Sequence, residues 1–168
     1  MVKSRPIFVL DIKQQIMKRA FILKPGGGRR PKPYNVLGMP VYLKVSGNDT
    51  GDLLSVFIAD YKKNEGPPRH SHNLDETFYI IEGEFIFQAG DEKFTGVAGD
   101  TVFIPRNVPH TTLTVSETGK MLFTVNPSGN VEALFEKLDS YKTMPSIEEI
   151  VRVHEELGLK IVGPPLNV

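Results

Sequence analysis

The sequence predicts a mainly β protein, in which a barrel or pair of packed sheets is preceded by an N-terminal arm and followed by C-terminal helices. Short apolar, β-branched and aromatic runs recur between residues 36 and 125, at intervals of roughly eight to twelve residues. After Pro127 the apolar period becomes helical. A stretch rich in Gly and Pro precedes the strands. These observations predict an arm and linker (1–33), a β-barrel domain (34–127) and a helical extension packed on the outside of the barrel (128–168).

Eight runs are predicted to form the strands. Several of them are apolar at both alternating sets of positions, as in the Phe-Tyr-Ile-Ile run at 78–81, which is typical of strands covered on both faces. Because one barrel interior uses only one of those faces, and the net charge of zero offers little repulsion, we expect a homodimer. The runs are 41–45, 53–61, 77–82, 84–88, 93–97, 101–105, 111–115 and 121–125.

The segments outside the strands carry helix and linker signals. Apolar spacing predicts a short helix over 12–23, and the Gly/Pro-rich residues 25–33 predict a linker, because they lack the Lys-Ser/Thr ending of a phosphate loop. An apolar stripe from Val131 to Tyr141 predicts one C-terminal helix, behind a possible cap at Asn130. A second helix is predicted to begin at the capping box Ser146-x-x-Glu149 and to end before Gly158.

Composition excludes several classes of protein. With 168 residues, 40% hydrophobic and 24% charged, the chain has the length and composition of one globular domain. The 20 basic residues balance the 20 acidic ones without a long basic run, so a nucleic-acid partner is not expected. The absence of Cys excludes disulfides and thiolate metal sites and fits a cytoplasmic location. The N-terminal apolar run is too short for a signal peptide, and no run is long enough for a membrane span.

Three of the four histidines lie in a pattern that metal binding explains. His70 and His72 are two residues apart in a segment that reads as extended, so both imidazoles project from one face. Glu76 reaches the same side if the strand continues or bends at residues 73–75. His110 follows a predicted strand and a tight turn, which places it at the start of another strand. Three imidazoles and one carboxylate suit a divalent transition metal, and iron, manganese, nickel, copper and zinc all remain open.

The fourth histidine, His154, lies outside this pattern. It falls on the apolar face of the second predicted helix, together with Ile147, Ile150, Val151 and Leu157. A histidine there is expected to pack in the core with its ring nitrogens hydrogen-bonded.

The two metal-binding segments resemble the two sequence motifs of the cupin superfamily. The first, His70-x-His72-x3-Glu76-x6-Gly83, matches the pattern H-x-H-x3–4-E-x6-G, and the second, Gly99-x5-Pro105-x-Asn107-x2-His110, matches G-x5-P-x-G-x2-H-x3-N in part. The resemblance covers about residues 36–126. The chain departs from it at Gly66, which stands closer to His70 than usual, at Asn107 in place of Gly, and at Thr114 in place of Asn. Asn107 preserves a left-handed turn, since Asn tolerates that backbone conformation.

The resemblance implies a double-stranded β-helix, or jelly-roll barrel, with one divalent transition metal per chain held inside it by His70, His72, Glu76 and His110. The chain is most similar to small single-domain cupins labelled quercetin dioxygenase-like. That likeness implies a dioxygenase acting on a flavonol-like or other enolisable small molecule, in which Glu76 is either a ligand or a general base. Two alternatives stay open: a metal-dependent isomerase or hydrolase-like cupin, and a non-catalytic cupin that binds a small molecule.

The substrate cavity is expected to be lined by strand residues near the ligands. The candidates are Phe78, Ile80, Phe103 and Thr112, whose alternative role is plain barrel core.

Overall fold

Eleven strands and three helices make up the described part of the chain, residues 20–167 of a computed structural model. In chain order they are β1 (Tyr34–Val36), β2 (Met39–Val45), α1 (Gly47–Thr50), β3 (Ser55–Lys62), β4 (Pro68–Ser71), β5 (Asp75–Glu82), β6 (Glu84–Ala89), β7 (Glu92–Val97), β8 (Thr101–Ile104), β9 (His110–Thr114), β10 (Thr118–Asn126), α2 (Val131–Asp139), α3 (Ile147–Glu156) and β11 (Lys160–Pro165).

The strands form two antiparallel sheets that enclose one core. One sheet has the order β1-β2-β3-β10-β5-β8, and the other has the order β11-β4-β9-β6-β7. All eight strands predicted from sequence are present, and the mainly β jelly-roll class is confirmed. The strands that the sequence did not predict are β1, β4 and β11. Two of these, β4 and β11, lie beside each other next to the histidine cluster.

The core is rich in aromatic side chains because alternate positions of facing strands point inward. Phe57 on β3 stacks on Phe123 of β10 with ring centroids 5.0 Å apart, and Phe123 stacks on Phe78 of β5 at 5.8 Å. Such offset aromatic pairs add to the stabilisation that burial of their surface provides. They fix the wall of the six-stranded sheet behind the metal-binding segment.

Both predicted C-terminal helices are present, and the Ser146–Glu149 capping box of α3 forms as predicted. The apolar stripe of α2 faces the barrel strands, since Leu134, Phe135 and Leu138 line a cavity together with strand residues. After α3 the chain continues as β11, which pairs with β4. The sequence predicted only helices in this extension and did not predict this strand.

Half-buried carboxylates hold α2 at both ends. Near its start, Glu132 accepts hydrogen bonds from Ser46 Oγ, the Gly47 backbone N–H and Ser55 Oγ. At its end, Asp139 accepts from the Asn35 backbone N–H at 2.9 Å and pairs with the Arg30 guanidinium at 3.0 Å. Hydrogen bonds to an ionised acceptor are about twice as strong as neutral ones, so α2 is fixed over the cavity.

The N-terminal prediction falls largely outside the described residues. The predicted helix at 12–23 overlaps that part only at residues 20–23, which are not helical. The linker after it lies against the barrel, since Arg29 pairs with Asp49 and Arg30 stacks over Tyr34 with 3.9 Å between Cζ and the ring centroid. None of the helices that the structure describes is long and apolar enough to cross a membrane.

The predicted homodimer has a candidate surface on the outer face of the six-stranded sheet. Tyr79 is 46% exposed, Ile81 is 41% exposed and Phe103 is 60% exposed, on the neighbouring strands β5 and β8.

The homodimer stays a prediction. Light scattering is expected to give about twice the 18.7 kDa of one chain, and a Tyr79→Lys/Phe103→Lys variant should give a monomer because the lysines place like charges on both copies. Thr95→Lys, on the outside of the other sheet, is the control, and an 18.7 kDa particle for the wild type at all concentrations would contradict the prediction.

Candidate metal centre and cavity

The structure brings together the four residues that the sequence pattern selected. His70 lies in β4 and His72 follows that strand, Glu76 lies in β5, and His110 begins β9. His70 and His110 are register partners across β4 and β9, whereas Glu76 comes from the facing sheet. One ligand atom from each of the four residues lies within 4.8 Å of those of the other three. The cluster therefore bridges the two sheets inside the barrel.

Local backbone structure explains how Glu76 and His110 reach the cluster. The chain leaves β4 at Ser71 and enters β5 at Asp75, so it bends between the sheets and does not continue as one strand. Asn107, with φ of 66°, makes the left-handed turn before β9 that the sequence predicts, and its backbone N–H donates to the His72 carbonyl at 2.7 Å. That hydrogen bond ties the two metal-binding segments to each other.

An ion pair that the sequence did not point to supports the same turn. The Arg106 backbone N–H and guanidinium all bond to the Asp75 carboxylate, at 2.6 to 3.1 Å. These hydrogen bonds to Arg106 lower the pKa of Asp75 to about 2. Asp75 immediately precedes Glu76, so the pair fixes the backbone that carries the carboxylate ligand.

Gly66 lets the segment before His70 approach β9 closely. A Cβ atom at this position would lie 1.8 Å from the carbonyl oxygen of Thr112. Next to it, the Thr111 hydroxyl donates to the Pro67 carbonyl at 2.7 Å. The unusual spacing of Gly66 from His70 thus has a steric reason, because only glycine allows the segment to lie against β9 at this point.

The hydrogen bonds of the three imidazoles fix their tautomers. Nδ1 lies 2.8 Å from the Pro68 carbonyl in His70, 3.1 Å from the Leu74 carbonyl in His72, and 2.8 Å from the Val108 carbonyl in His110. Because a carbonyl oxygen only accepts, each Nδ1 carries the proton. The Nε2 atoms are therefore left with their lone pairs available, which is the form in which imidazole binds metals.

The Nε2 atoms of His72 and His110 lie next to the Glu76 carboxylate, which accepts hydrogen bonds and has none to donate. Glu76 Oε1 lies 3.3 Å from His72 Nε2, and Glu76 Oε2 lies 3.1 Å from His110 Nε2. The His72 atom is buried without a geometrically acceptable hydrogen bond, although the carboxylate is near it. Lone pairs that face a buried carboxylate repel it unless a proton or a cation lies among them. A divalent metal fits this donor set, since it would satisfy all four groups at once.

The charges of the cluster agree with that requirement. Burial acts to raise the pKa of Glu76, but the hydrogen bond with His110 and the nearby imidazoles of His110 and His72 outweigh it and hold that pKa well below its usual range. Burial acts to lower the pKa of His110, but Glu76 outweighs it and raises the pKa above the usual value. Burial and the charge of His110 lower the pKa of His70 to about 3. Ionised Glu76 therefore favours protonation of His110, whereas protonation of His70 is disfavoured.

The cluster forms one wall of a cavity of about 90 Å³. His70, His72, Glu76 and Thr112 are on this wall. The remaining surface is mostly apolar and comes from β1, β2, β10 and α2; it includes Val36, Met39, Phe123, Leu134, Phe135 and Leu138. The four-residue cluster thus faces a small apolar space that is closed on one side by a helix.

The structure corrects part of the predicted cavity lining. Phe78 and Thr112 line the cavity, but Ile80 is buried elsewhere in the core, where its side chain lies over Gly96. Phe103 is on the outside of the barrel. Its register partner on β5 is Thr77, whereas the inward Phe78 is paired with Val102, so strand alternation points Phe103 away from the cavity.

Two polar residues of the cavity wall were not predicted to belong to it. Tyr61 on β3 lines the cavity, and burial raises the pKa of its hydroxyl. His154 on α3 also lines it, although the sequence suggested only a core role for this histidine. A polar residue on the inward face of a strand or helix gives no signal that distinguishes packing in a core from facing a cavity, so neither contribution could be read from the sequence.

Comparison with known proteins agrees with this architecture. Residues 57–126 match the family model described as the cupin domain. The fold is the cupin jelly roll. The matched segment contains all four residues of the cluster. A search of curated protein sequences finds no significant match to this chain.

Three solved structures illustrate the likeness. A predicted oxalate decarboxylase from Thermotoga maritima has a TM-score of 0.57 and 15% identity, covering 64% of this chain and 99% of its own. KdgF from Halomonas sp. has a TM-score of 0.52 and 16% identity, covering 56% and 84%. An RmlC-like cupin from Shewanella frigidimarina has a TM-score of 0.51 and 19% identity, covering 60% and 86%. At these identities the likeness shows a shared cupin fold.

The first prediction for the site concerns its metal content. The purified protein is expected to bind about one divalent transition metal per chain, because four ligand atoms converge on one point. His72→Ala and His110→Ala should each reduce occupancy strongly, as measured by elemental analysis after dialysis. His154→Gln changes the one histidine outside the cluster and should keep its metal. Full occupancy in a His70→Ala/His110→Ala double variant would contradict the assignment.

The second prediction concerns the proton that competes with the metal. In the metal-free protein, His110 should titrate above the ordinary value of about 6.5, because ionised Glu76 stabilises the imidazolium. Metal affinity should therefore fall as pH decreases through the His110 pKa, since the metal must displace that proton. NMR of the imidazole C–H signals measures the pKa. Glu76→Gln should lower it, and an unchanged His110 pKa in that variant would contradict the assigned cause.

Proposed function

We propose that this protein is a metal-dependent dioxygenase that acts on an enolisable small molecule, similar to quercetin dioxygenase-like cupins. The observation that carries the proposal is the convergence of three imidazole Nε2 atoms and one carboxylate on an apolar cavity. A redox-active divalent metal in such a site acts as a Lewis acid toward a substrate oxygen and takes part in electron transfer to dioxygen. The chain contains no cysteine, so its polypeptide offers no thiol as an alternative redox centre.

The residues around the site support this chemistry in two ways. Apolar side chains of β2, β10 and α2 exclude water, which strengthens electrostatic interactions with a bound substrate. Glu76 is ionised and buried beside two imidazoles, so it is able to accept the proton that an enolisable substrate loses on binding. Because its pKa is held low, Glu76 is a weak base, and transfer requires a substrate oxygen made more acidic by the metal.

The size of the cavity restricts the substrate. Its volume of about 90 Å³ is below the roughly 150 Å³ of an engineered cavity that binds benzene. A three-ring flavonol therefore needs α2 to move, against the hydrogen bonds of Glu132 and Asp139. An acyclic β-dicarbonyl or a single-ring hydroxyketone needs a smaller adjustment. Within the enolisable class, we favour these compact compounds over flavonols.

The weak basicity of Glu76 favours one second candidate, a non-catalytic cupin that binds a small molecule through its metal. A metal-dependent isomerase differs from both, since it needs Lewis acidity but no redox change, and zinc would support it. The response to redox-active metals and to zinc therefore separates the three functions.

Two sequence predictions that do not depend on the cavity stay predictions. A cytoplasmic location is expected from the cysteine-free composition, and the balanced charge gives no reason to expect a nucleic-acid partner.

The test reconstitutes the metal-free protein separately with iron, manganese, nickel, copper and zinc. Oxygen uptake is followed with acetylacetone, a hydroxypyranone and quercetin, in air and anaerobically. At least one redox-active metal should support oxygen-dependent loss of substrate, and zinc should not. Glu76→Gln should reduce turnover by about 10²- to 10⁴-fold, the usual contribution of a general base.

Glu84→Gln, at an exposed position at the start of β6, is the matched control and should leave turnover unchanged. Metal content is measured for each variant, so that loss of turnover is not confused with loss of metal. If no redox-active metal gives oxygen-dependent turnover, the dioxygenase proposal fails. Ligand-induced thermal stabilisation that depends on zinc would then support the binding protein, and conversion of a ligand by the zinc form would support the isomerase.

A further inference from the structure

We propose that His154 is a specificity-determining residue of the cavity, where its Nε2 atom accepts a hydrogen bond from a hydroxyl or N–H group of the bound molecule. This proposal deepens the proposed function and rests on its premise that a small molecule binds the metal in this cavity. It adds a second polar contact, from the helical extension, to the contact with the metal centre.

His154 lies in the wall of the cavity. The residue lies near the end of α3 and is only 6% exposed, yet its side chain borders the same cavity as His70, His72 and Glu76. Its backbone carbonyl accepts the Leu159 N–H at 2.8 Å, which fixes the end of the helix. The imidazole is therefore held in place within the wall.

The imidazole of His154 is neutral and carries its proton on Nδ1. Nδ1 lies 2.7 Å from the Ile150 carbonyl, one turn back along α3, so Nδ1 carries the proton. Burial lowers the pKa of His154 despite that hydrogen bond, so the ring is neutral near pH 7. Nε2 is then an acceptor, and no residue in the described range 20–167 donates a hydrogen bond to it. Nε2 is not one of the polar atoms that the described residues enclose without a partner, so it stays accessible at the cavity wall. An accessible acceptor in an otherwise apolar wall favours an occupant that donates a hydrogen bond.

The cavity wall around His154 is apolar. The helical side of the cavity is formed by Val131, Leu134, Phe135 and Leu138 of α2 and by Leu159, all of them apolar. His154 is the one polar side chain that the helices contribute to the described cavity wall. The arrangement suits a molecule with metal-binding oxygens at one end, an apolar body, and a hydrogen-bond donor directed at α3.

The test uses two matched probes, kojic acid and allomaltol. Both bind metals through the same hydroxyketone edge, and they differ only in that a hydroxymethyl group of kojic acid is a methyl group in allomaltol. The full-length protein is loaded with zinc, which prevents oxidative turnover, and the dissociation constants are measured by calorimetry. The wild type should bind kojic acid about three- to tenfold more tightly than allomaltol, as expected for one hydrogen bond to a neutral acceptor in the cavity wall.

Two variants of His154 test the assignment. His154→Leu should reduce the preference for kojic acid to a ratio near one, while His154→Gln, whose side-chain oxygen is an acceptor, should keep part of it. Leu134→Met is the control on the same side of the cavity; it should change both affinities together and leave their ratio unchanged. Circular dichroism and zinc content establish that each variant is folded and loaded, and His154→Gln serves alone if the leucine variant does not fold.

The outcomes separate this proposal from the one on which it rests. A wild-type ratio near one with both probes bound, or a preference that His154→Leu leaves unchanged, would overturn the role of His154 and leave the proposed function standing. Failure of both probes to bind the zinc-loaded wild type would contradict the small-molecule cavity itself, and the role of His154 with it.

Discussion

The architecture depends on one electrostatic constraint, the convergence of three imidazole lone pairs on the carboxylate of Glu76 inside the barrel. In each imidazole the Nδ1 proton is donated to a backbone carbonyl, so Nε2 of the neutral ring carries no proton. The four groups therefore have no donor among the atoms that face one another. A single added positive charge, either a proton on His110 or a metal ion, is needed to stabilise it. The barrel thus holds an unfavourable charge arrangement. A divalent cation would remove its cost, and binding of that cation would then be coupled to the stability of the fold.

Different elements of the fold carry the candidate metal ligands and the opposite wall of the cavity. The ligands and the turn that supports them come from strands, through the Asn107 and Arg106 hydrogen bonds. The cavity wall on the other side comes from α2 and α3, held by Glu132 and Asp139. Changes in the helical extension are able to alter the size and polarity of the cavity while the metal ligands stay in place. This division is one physical reason why a single fold hosts many activities.

The clustering of the three histidines with Glu76 could be predicted from sequence because it depends on local geometry. Residues two apart in a strand share a face, and Asn tolerates the left-handed turn at Asn107, so short patterns sufficed. The position of Phe103 could not be predicted, because one residue of register reverses the face that a side chain occupies. The cavity role of His154 depends on where α3 packs, and pairing of β11 with β4 depends on contacts distant in sequence. Local patterns carry little information about either.

The pairing of β4 also determines when the centre is completed. β4 shares one register pair with β9 but several with β11, where Ile161 lies opposite His70. β4, the strand that carries His70, is therefore stabilised mainly by β11. In the sequence, β11 comes after most of the barrel strands and after α2 and α3. During synthesis on the ribosome, the other three ligands emerge well before this partner does, and non-local pairings of this kind form slowly. A nascent chain that ends before residue 160 lacks the β-strand neighbour of His70, so the four-residue cluster is completed only after β11 has paired with β4.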